Sequence, residues 1–299
     1  MSPGLQVVIG IATAGRREQM PLTLAQLALQ RRPPARVIVC PASPEDFDAD
    51  GAPPMPCPVE VVHGPRGSCA QRNAILASCG DADVVVFIDD DYYPAPDYVE
   101  QVQHLFAARP EVVVATHHPV RDGAVGPGIG HETALAILAA LPPQPEGAAA
   151  ALRTTYGGYG CNMTVRLAPV RAHGVLFDDN LPLYGWLEDI DFSRRMAAHG
   201  AIVDCAALRG VHLGSKRGRT SGLRFGYSQV ANPVYLLRKG SMSASYALRH
   251  IARNVAKNLA RAAWPEPWVD RRGRLKGNLL AVGDLLRGRL DPGRIRALG

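Results

Sequence analysis

The sequence contains no run of about eighteen uncharged apolar residues, the length that a membrane-spanning helix needs. No basic residues precede its first apolar segment, so residues 1–6 are not expected to begin a signal peptide. The six cysteines include no CxxC pair, which argues against a zinc site and a disulfide framework. We therefore expect a cytoplasmic protein whose thiols are free and mostly buried.

Lysine is absent before Lys216, and the charged residues are unevenly distributed along the chain. Residues 216–299 contain 18 Lys and Arg against 4 Asp and Glu, whereas residues 1–215 contain 15 against 23. A basic tail of this kind is expected to bind phosphate groups, whether of a lipid, a nucleic acid or a diphosphate. Few aromatic residues are interleaved with its basic ones and the body is acidic, so no nucleic-acid partner is expected.

Apolar runs and helical patterns alternate through the first two thirds of the chain, as in an α/β protein. We predict strands at 5–11, 36–40, 59–63, 83–88, 112–116, 159–166 and 201–205, and helices at 18–30, 68–78, 96–108, 132–141 and 186–199. This order indicates a mostly parallel sheet that binds ligands beyond the carboxyl ends of its strands. The segment 119–158 is rich in Gly, Pro and Ala and is predicted to be a mobile active-site loop.

The pattern past residue 222 is helical and basic. In a helix predicted over 245–263, basic and apolar residues occupy different faces. The basic residues are Arg249, Arg253, Lys257 and Arg261, and the apolar ones are Leu248, Ile251, Val255 and Leu259. Two alternatives stay open: the helix lies on an anionic membrane surface beside Trp264 and Trp268, or it packs its apolar stripe on the core.

The strongest chemical signal is the run of carboxylates Asp89, Asp90 and Asp91 at the end of an apolar strand. Adjacent carboxylates repel one another and are costly to desolvate, so a bound divalent cation is the expected reason for them. Asp89 and Asp91 point to the same side of an extended segment and can reach one Mg²⁺ or Mn²⁺. The alternative is an exposed acidic turn.

Five segments, in this order, resemble family-2 glycosyltransferases, which are GT-A fold enzymes that build bacterial polysaccharides. They are 11–16 (IATAGR), 66–73 (RGSCAQRN), 89–91 (DDD), 159–162 (YGCN) and 186–191 (WLEDID). The resemblance covers about residues 7–212. It implies a Rossmann-like, mostly parallel GT-A sheet within a catalytic domain at 1–215, followed by a basic helical extension at 216–299. The nucleotide-binding half would span about 1–118 and the acceptor half about 119–215.

The same resemblance implies roles for individual residues. Thr13, Arg16, Gly67, Arg72, Asp89 and Asp90 would bind the donor, Asp91, Asp89 and His212 the metal, and Asn162, Trp186 and Glu188 the acceptor, with Asp189 as general base beside Glu188. Several of them have another possible role. The alternatives for Arg72 are a residue that steers the aspartates and a solvated helix arginine. The alternative for Asn162 is a residue that forms hydrogen bonds at the strand end, and for His212 a structural histidine.

Local rules add three expectations near these residues. A helix N-terminus at Glu188 and Asp189 is expected to keep the pKa of Asp189 low. Asp191, four residues before Arg195, is predicted to form a surface ion pair. Lys216, Arg217 and Arg219 are candidates to close over the diphosphate.

The resemblance thus predicts an inverting, metal-dependent glycosyltransferase that uses a nucleotide-sugar donor, with UDP as the expected nucleotide. Its acceptor would be a glycan or lipid-linked glycan of a bacterial exopolysaccharide or cell envelope, met at the inner face of the membrane. The second strand ends in CPAS at 40–43, where many relatives carry an acid that contacts the base; Glu45 and Asp46 follow shortly after. The alternatives are a sugar nucleotidyltransferase and a non-enzymatic protein that binds anionic polymers.

Overall fold

Buried runs rich in valine and isoleucine form the strands, and segments with one apolar face form the helices between them. The computed structural model describes residues 4–144, 151–218 and 220–298. In these residues the strands are β1 (Val7–Thr13), β2 (Arg36–Pro41), β3 (Val59–Val61), β4 (Val84–Asp89), β5 (Tyr92–Pro94), β6 (Val112–Thr116), β7 (Arg121–Asp122), β8 (Leu152–Thr154), β9 (Asn162–Arg166), β10 (Ala201–Cys205) and β11 (Gly210–His212). The helices are α1 (Met20–Leu27), α2 (Ser68–Ala77), α3 (Tyr98–Ala108), α4 (His131–Ala139), α5 (Leu167–His173), α6 (Glu188–Met196), α7 (Gly222–Lys239), α8 (Ala244–Arg261) and α9 (Arg271–Leu286), with 3₁₀ turns at Pro44–Asp46 and Pro292–Ala297.

Eight of the strands form one sheet in the order β3-β2-β1-β4-β9-β6-β10-β8. β1 pairs in parallel with β2 and β4, whereas β9 runs antiparallel between β4 and β6. The two faces of the sheet carry separate apolar clusters packed under helices. The predicted mostly parallel α/β sheet is confirmed. Because β1 and β4 are parallel, their carboxyl ends meet at one edge, where Ala12 pairs with Asp89.

A second sheet, in the order β5-β11-β7, lies beside this edge and has no clear signature in the sequence. Two segments of the chain approach each other so closely beside this sheet that only glycine fits. A Cβ on Gly123 would come within 2.0 Å of the Leu213 carbonyl oxygen, and a Cβ on Gly214 would come within 2.1 Å of Gly123. Helix α4 packs on it through Ala134. Within the segment 119–158, α4 lies where a helix was predicted at 132–141, whereas β7 and β8 were not predicted in this loop region; residues 145–150 lie outside the described residues.

The basic tail is helical, as predicted, and it shares the main core. Leu236 of α7 and Ala247 of α8 are buried in the same cluster as Phe87 and Phe192 of the α/β region. No helix within the described ranges has both the length and the apolar character needed to cross a membrane. All six cysteines are free and five of them are buried, as expected from their spacing.

Candidate active site

A cluster of three possible metal ligands lies where the two sheets meet. Asp89 ends β4, Asp91 follows it, and β11 brings His212 alongside. His212 Nε2 lies 3.3 Å from Asp91 Oδ1 and 3.8 Å from Asp89 Oδ2, and ligand atoms from all three lie within 4.8 Å of one another. The sequence prediction placed these same three residues around one ion.

The donor set fits a divalent cation. Asp91 is fully buried, and its Oδ2 accepts a hydrogen bond of 2.6 Å from the Ser215 amide. Its Oδ1 has ion-pair contacts but no hydrogen bond among the described residues, an uncommon state for a buried carboxylate oxygen. Carboxylate oxygens with one imidazole suit Mg²⁺ or Mn²⁺.

Positive side chains balance these acids in the structure. Arg16 Nη1 lies 2.6 Å from Asp90 and 3.3 Å from Asp91. Burial opposes ionisation, but the His212 imidazole 3.3 Å away, together with Arg16 and the Ser215 amide, holds the pKa of Asp91 well below its usual range. Burial likewise disfavours a charged His212, yet Asp122 and Asp91 raise the pKa of that imidazole to about 10. The cluster thus attracts positive charge strongly.

Asp122, at the end of β7, orients His212. It accepts a 2.8 Å hydrogen bond from His212 Nδ1 on one oxygen and a 2.6 Å bond from the Tyr159 hydroxyl on the other. This leaves Nε2 facing Asp89 and Asp91, the usual arrangement for a histidine that binds metal. Sequence reasoning missed Asp122, because no spacing or run of acids connects it to the cluster.

Asp90 is not part of the Asp89, Asp91 and His212 cluster and holds the first loop instead. It is 3% exposed, and its two oxygens accept from the Thr13 hydroxyl and Arg16, each at 2.6 Å. Burial raises the pKa of Asp90 to about 6 despite Arg16. Thr13 and Arg16, predicted as donor residues, do line the cleft, and their contacts with Asp90 fix the loop after β1 against the end of β4.

Arg72 on α2 is buried and joins the two groups of acids. It donates to Glu188 at 2.6 Å, to the Gly160 carbonyl at 2.8 Å and to Asp89 at 3.5 Å. The alternative of a solvated arginine is wrong, and its role in steering the aspartates fits this geometry. Glu188 Oε1 accepts the hydrogen bond from Arg72, so Glu188 positions this arginine in the structure. The same oxygen is therefore not free to contact an acceptor.

Asp189 stands at the start of α6, beside the cleft. It accepts hydrogen bonds from the amides of Gly160 at 2.9 Å and Ile190 at 2.8 Å. We expected the helix N-terminus to lower the pKa of Asp189; instead burial outweighs Arg72 and the two amides, and that pKa is raised. Burial also raises the pKa of Glu188, to about 8. Leu187, the residue before the helix, has a φ of 75°, a strained value that fixes how Glu188 and Asp189 are presented.

Two other expectations are wrong. Asn162 is fully buried and satisfied, since its amide donates to Tyr92 and to the His117 carbonyl and its oxygen accepts from Thr116, so it is a strand hydrogen-bonder and not an acceptor contact. Asp191 is buried rather than on the surface. Its nearer partner is Lys239 of α7, at 2.8 Å, whereas Arg195 lies 3.8 Å away. The helical spacing gave no sign that α7 covers this face of α6.

A cavity of about 430 Å³ opens above the acids. Its walls are the loop after β1, the start of α2 at Gly67, Tyr184, and residues of the tail. Arg66, Arg224 and Arg296 line it, and none of the three was predicted as a donor residue. Asp46 reaches the Gly15 amide at 2.6 Å, so it braces the first loop.

The basic residues after β11 were predicted to close over the diphosphate. Lys216 donates to the carbonyls of Gly123 and Ala124, and Arg217 pairs with Glu18. Arg219 lies outside the described residues. Trp186 is partly buried at the edge of the cleft, with its carbonyl bonded by Asn232.

The profile of the family described as glycosyl transferase family 2 matches residues 9–174, more than half of the chain. The chain belongs to glycosyl transferase family 2. The family match covers β1, the acidic run and β9, and confirms the resemblance and the enzyme class predicted from the sequence. It favours a glycosyltransferase over the nucleotidyltransferase and non-enzymatic alternatives.

Solved structures agree on the fold. A fragment of S. aureus TarS, residues 1–349, in complex with UDP-GlcNAc is 14% identical with a TM-score of 0.56, over 98% of this chain and 84% of that one. The mannosyltransferase PcManGT from Pyrobaculum calidifontis, in complex with GDP-Man and Mn²⁺, is 16% identical with a TM-score of 0.54, over 95% and 81%. Against the longer S. aureus TarS structure the TM-score is 0.51 at 14% identity, and the chain, 86% of which is covered, spans only 44% of that length. No curated protein sequence matches. The predicted GT-A fold is confirmed.

Proposed function

We propose that this family-2 protein transfers a sugar from a nucleoside-diphosphate sugar, with UDP as the expected nucleotide, to an acceptor hydroxyl with inversion. The observation that carries the proposal is the cluster of Asp89, Asp91 and His212, whose member Asp89 lines an arginine-lined cavity. Asp189 follows Glu188, which pairs with Arg72 of the same cavity. A diphosphate needs positive charge and a divalent ion, and the cavity supplies both kinds of site. The neighbours solved with UDP-GlcNAc and with GDP-Man and Mn²⁺ agree with this assignment.

In this mechanism each side chain has a defined task. Arg66, Arg224 and Arg296 attract the diphosphate, and Thr13 and Arg16 hold the first loop against it. A divalent cation held by Asp89, Asp91 and His212 would stabilise negative charge on the leaving nucleoside diphosphate. Asp189 takes the proton of the acceptor hydroxyl while the oxygen of that hydroxyl attacks the far face of the anomeric carbon. We infer inversion because, among the described lining residues, Asp89 and Asp90 are the only carboxylates on the donor side, and both have other tasks.

The proposal predicts metal-dependent binding of a nucleoside diphosphate and its release from the matching sugar donor. Isothermal titration of UDP, GDP, ADP and dTDP with Mn²⁺, Mg²⁺ or EDTA measures the first. Chromatography of the nucleotide product and proton NMR of the glycoside formed on the acceptor measure the second and its stereochemistry. We expect UDP to bind only with a divalent ion, and the donor to yield UDP with inverted sugar. Pyrophosphate release, retained configuration, or equal UDP affinity in EDTA would contradict the proposal.

We further propose that the acceptor is a glycan or lipid-linked glycan of a bacterial exopolysaccharide or cell envelope, met at an anionic membrane. Helix α8 packs inward through Ile251 and Val255, and it leaves Leu248 and Leu259 about two thirds exposed. Trp264 beyond its end is 82% exposed. Exposed Leu and Trp next to a row of basic residues are typical of a helix on a membrane surface. One edge of the apolar stripe thus packs on the core while its other edge stays exposed, so the two alternatives do not exclude each other.

Neutralising two basic residues of α8 is expected to weaken binding to anionic vesicles about 30-fold, since each contributes on the order of 1 kcal/mol. The variant is Arg253→Gln with Lys257→Gln, and the control is Arg31→Gln with Arg121→Gln, two exposed arginines elsewhere. Co-sedimentation with phosphatidylglycerol vesicles, against neutral phosphatidylcholine ones, measures the change. Absence of binding to anionic vesicles at low salt would contradict the membrane assignment.

A further inference from the structure

A continuous row of aromatic rings runs from the donor cavity across the start of α6 to the beginning of α8. Its members, which we call the ring track, are Tyr184, Phe225, Trp186, His250, Tyr246 and Tyr156. Consecutive ring centroids are 5.7, 5.7, 5.9, 4.6 and 4.1 Å apart. Each ring is partly exposed, although fully buried rings would be the usual result of packing alone.

The ring track passes the residues that we assign to acceptor chemistry. Trp186 lies two residues before Glu188, and Tyr156 lies four residues before Gly160, whose amide donates to Asp189. Tyr246 lies close enough to Asp189 that, after burial, the charge of this carboxylate helps to raise the pKa of the phenol. Tyr156, Tyr246 and His250 stack on one another, so this part of the ring track presents ring edges, whereas Tyr184 is 56% exposed and Trp186 is partly exposed. Since sugar rings present apolar C–H faces, this exposed aromatic surface beside the proposed base suits a glycan.

A basic cavity of about 470 Å³ lies at the far end of the ring track. Tyr156, Arg194, Arg195, Lys239 and the backbone of 240–243 line it, and no acid does so among the described residues. The charge of Lys239 is balanced from behind by the buried Asp178 and Asp191. Helix α8 begins at this cavity and directs the positive end of its dipole toward it.

Arg194 carries the unbalanced charge of this cavity. Its guanidinium lies over the Tyr156 ring at 4.8 Å and donates to the Tyr156 carbonyl at 3.4 Å, and it forms no ion pair with any described residue. A partly buried arginine that forms no ion pair suits an oxyanion.

We propose that the ring track binds an extended glycan acceptor and that the basic cavity holds an anionic group, a phosphate or a carboxylate, carried by that acceptor. This inference rests on the proposed glycosyl transfer and specifies its acceptor class. The accepting end lies at Asp189. The anionic group sits farther along the glycan, beside the second turn of α6, about 8 Å along the helix axis from Asp189. The site therefore selects for an acceptor that carries its charge close to the accepting end.

The test is binding of the full-length protein to an array of neutral, uronic acid and phosphate-bearing oligosaccharides, with affinities of selected members from titration. We expect anionic members to bind at least about tenfold more tightly than neutral ones of equal length. Arg194→Gln should remove this preference, whereas Arg238→Gln, an exposed arginine on α7 outside the cavity, should keep it. Tyr246→Leu should weaken neutral and anionic glycans alike, with its melting temperature measured to show that α8 stays folded.

The outcomes separate this inference from the proposed function. UDP binding with Mn²⁺ is measured on the same samples, and its loss would contradict the donor assignment instead. If UDP binds but only neutral glycans or none do, or if Arg194→Gln changes nothing, the acceptor inference is overturned. Binding of inorganic phosphate without any glycan would also overturn it, because the cavity would then be a site for free phosphate. Phosphate-bearing and uronic acid members of the array distinguish the two sources of charge.

Discussion

Replacing Asp189 by asparagine is expected to lower kcat about 10²–10⁴-fold, the range that a positioned general base contributes. Asparagine keeps the shape of the side chain and still accepts a hydrogen bond from the Gly160 or Ile190 amide, so the start of α6 should keep its conformation. It cannot take a proton from the acceptor. Steady-state turnover of the donor found by the nucleotide panel, with an acceptor selected by the glycan array, measures the loss.

The affinity for UDP with Mn²⁺ should change far less than kcat in this variant, because Asp189 makes no hydrogen bond or ion pair with the metal cluster among the described residues. Asp50→Asn, at an exposed position that does not line the cavity, is the matched control for a change of carboxylate to amide. Wild-type turnover with normal donor binding would remove Asp189 from the mechanism.

The pH profile adds an independent readout. Burial raises the pKa of Asp189, so the base is lost as the pH falls through a value above that of an ordinary aspartate. The acidic limb of kcat should therefore lie above the usual carboxylate range in the wild type. The Asp189→Asn variant should lack that limb, which separates loss of a base from general damage to the fold.

The sequence predicts the central strands of the main sheet well because they are continuous apolar runs ended by Gly, Pro or polar residues; the edge strand β8, with the sequence LRT, was missed. Asp89, Asp91 and His212 were also within reach: two belong to one acidic run, and the third occupies the place where some relatives carry a histidine. The small sheet was not within reach. Its strands have two or three residues each, and the close approach of Gly123 to Leu213 depends on contacts between segments about ninety residues apart.

Errors at individual residues have one physical cause, which is burial by a segment distant in sequence. Helical spacing placed Asp191 on the surface, but α7 covers it and brings Lys239. The helix N-terminus favours an ionised Asp189, but the cleft desolvates it. Asp122 and the ring track were missed for the same reason, since their partners come from separate elements.

The structure also shows that the donor and acceptor sides are linked. Arg72 contacts Asp89 on one side and Glu188 on the other. A change of charge at the metal cluster therefore alters the electrostatic environment of the carboxylates at the start of α6. The tail contributes to both sides, through Arg224 and Arg296 at the donor cavity and Tyr246 near Asp189. We infer that residues 1–118 form the donor half and 119–215 the acceptor half, and that residues 216–299 complete both.

Replacing Asp91 by asparagine is expected to weaken Mn²⁺ binding in the presence of UDP by more than about 100-fold, beyond the 10–100-fold typical of outer-shell partners. The amide oxygen still accepts from the Ser215 amide, so the loop after β11 is held, but the charge and one ligand oxygen are lost. Electron paramagnetic resonance of free Mn²⁺ measures the affinity without any need for turnover. Asp122→Asn provides the graded comparison: it leaves Asp89, Asp91 and His212 in place but weakens the hold on His212 Nδ1, so a loss of about tenfold is expected. If Asp91→Asn binds Mn²⁺ as the wild type does, the acids closing β4 do not hold the ion, whereas equal losses in the two variants would mean that Asp122 acts as a ligand itself.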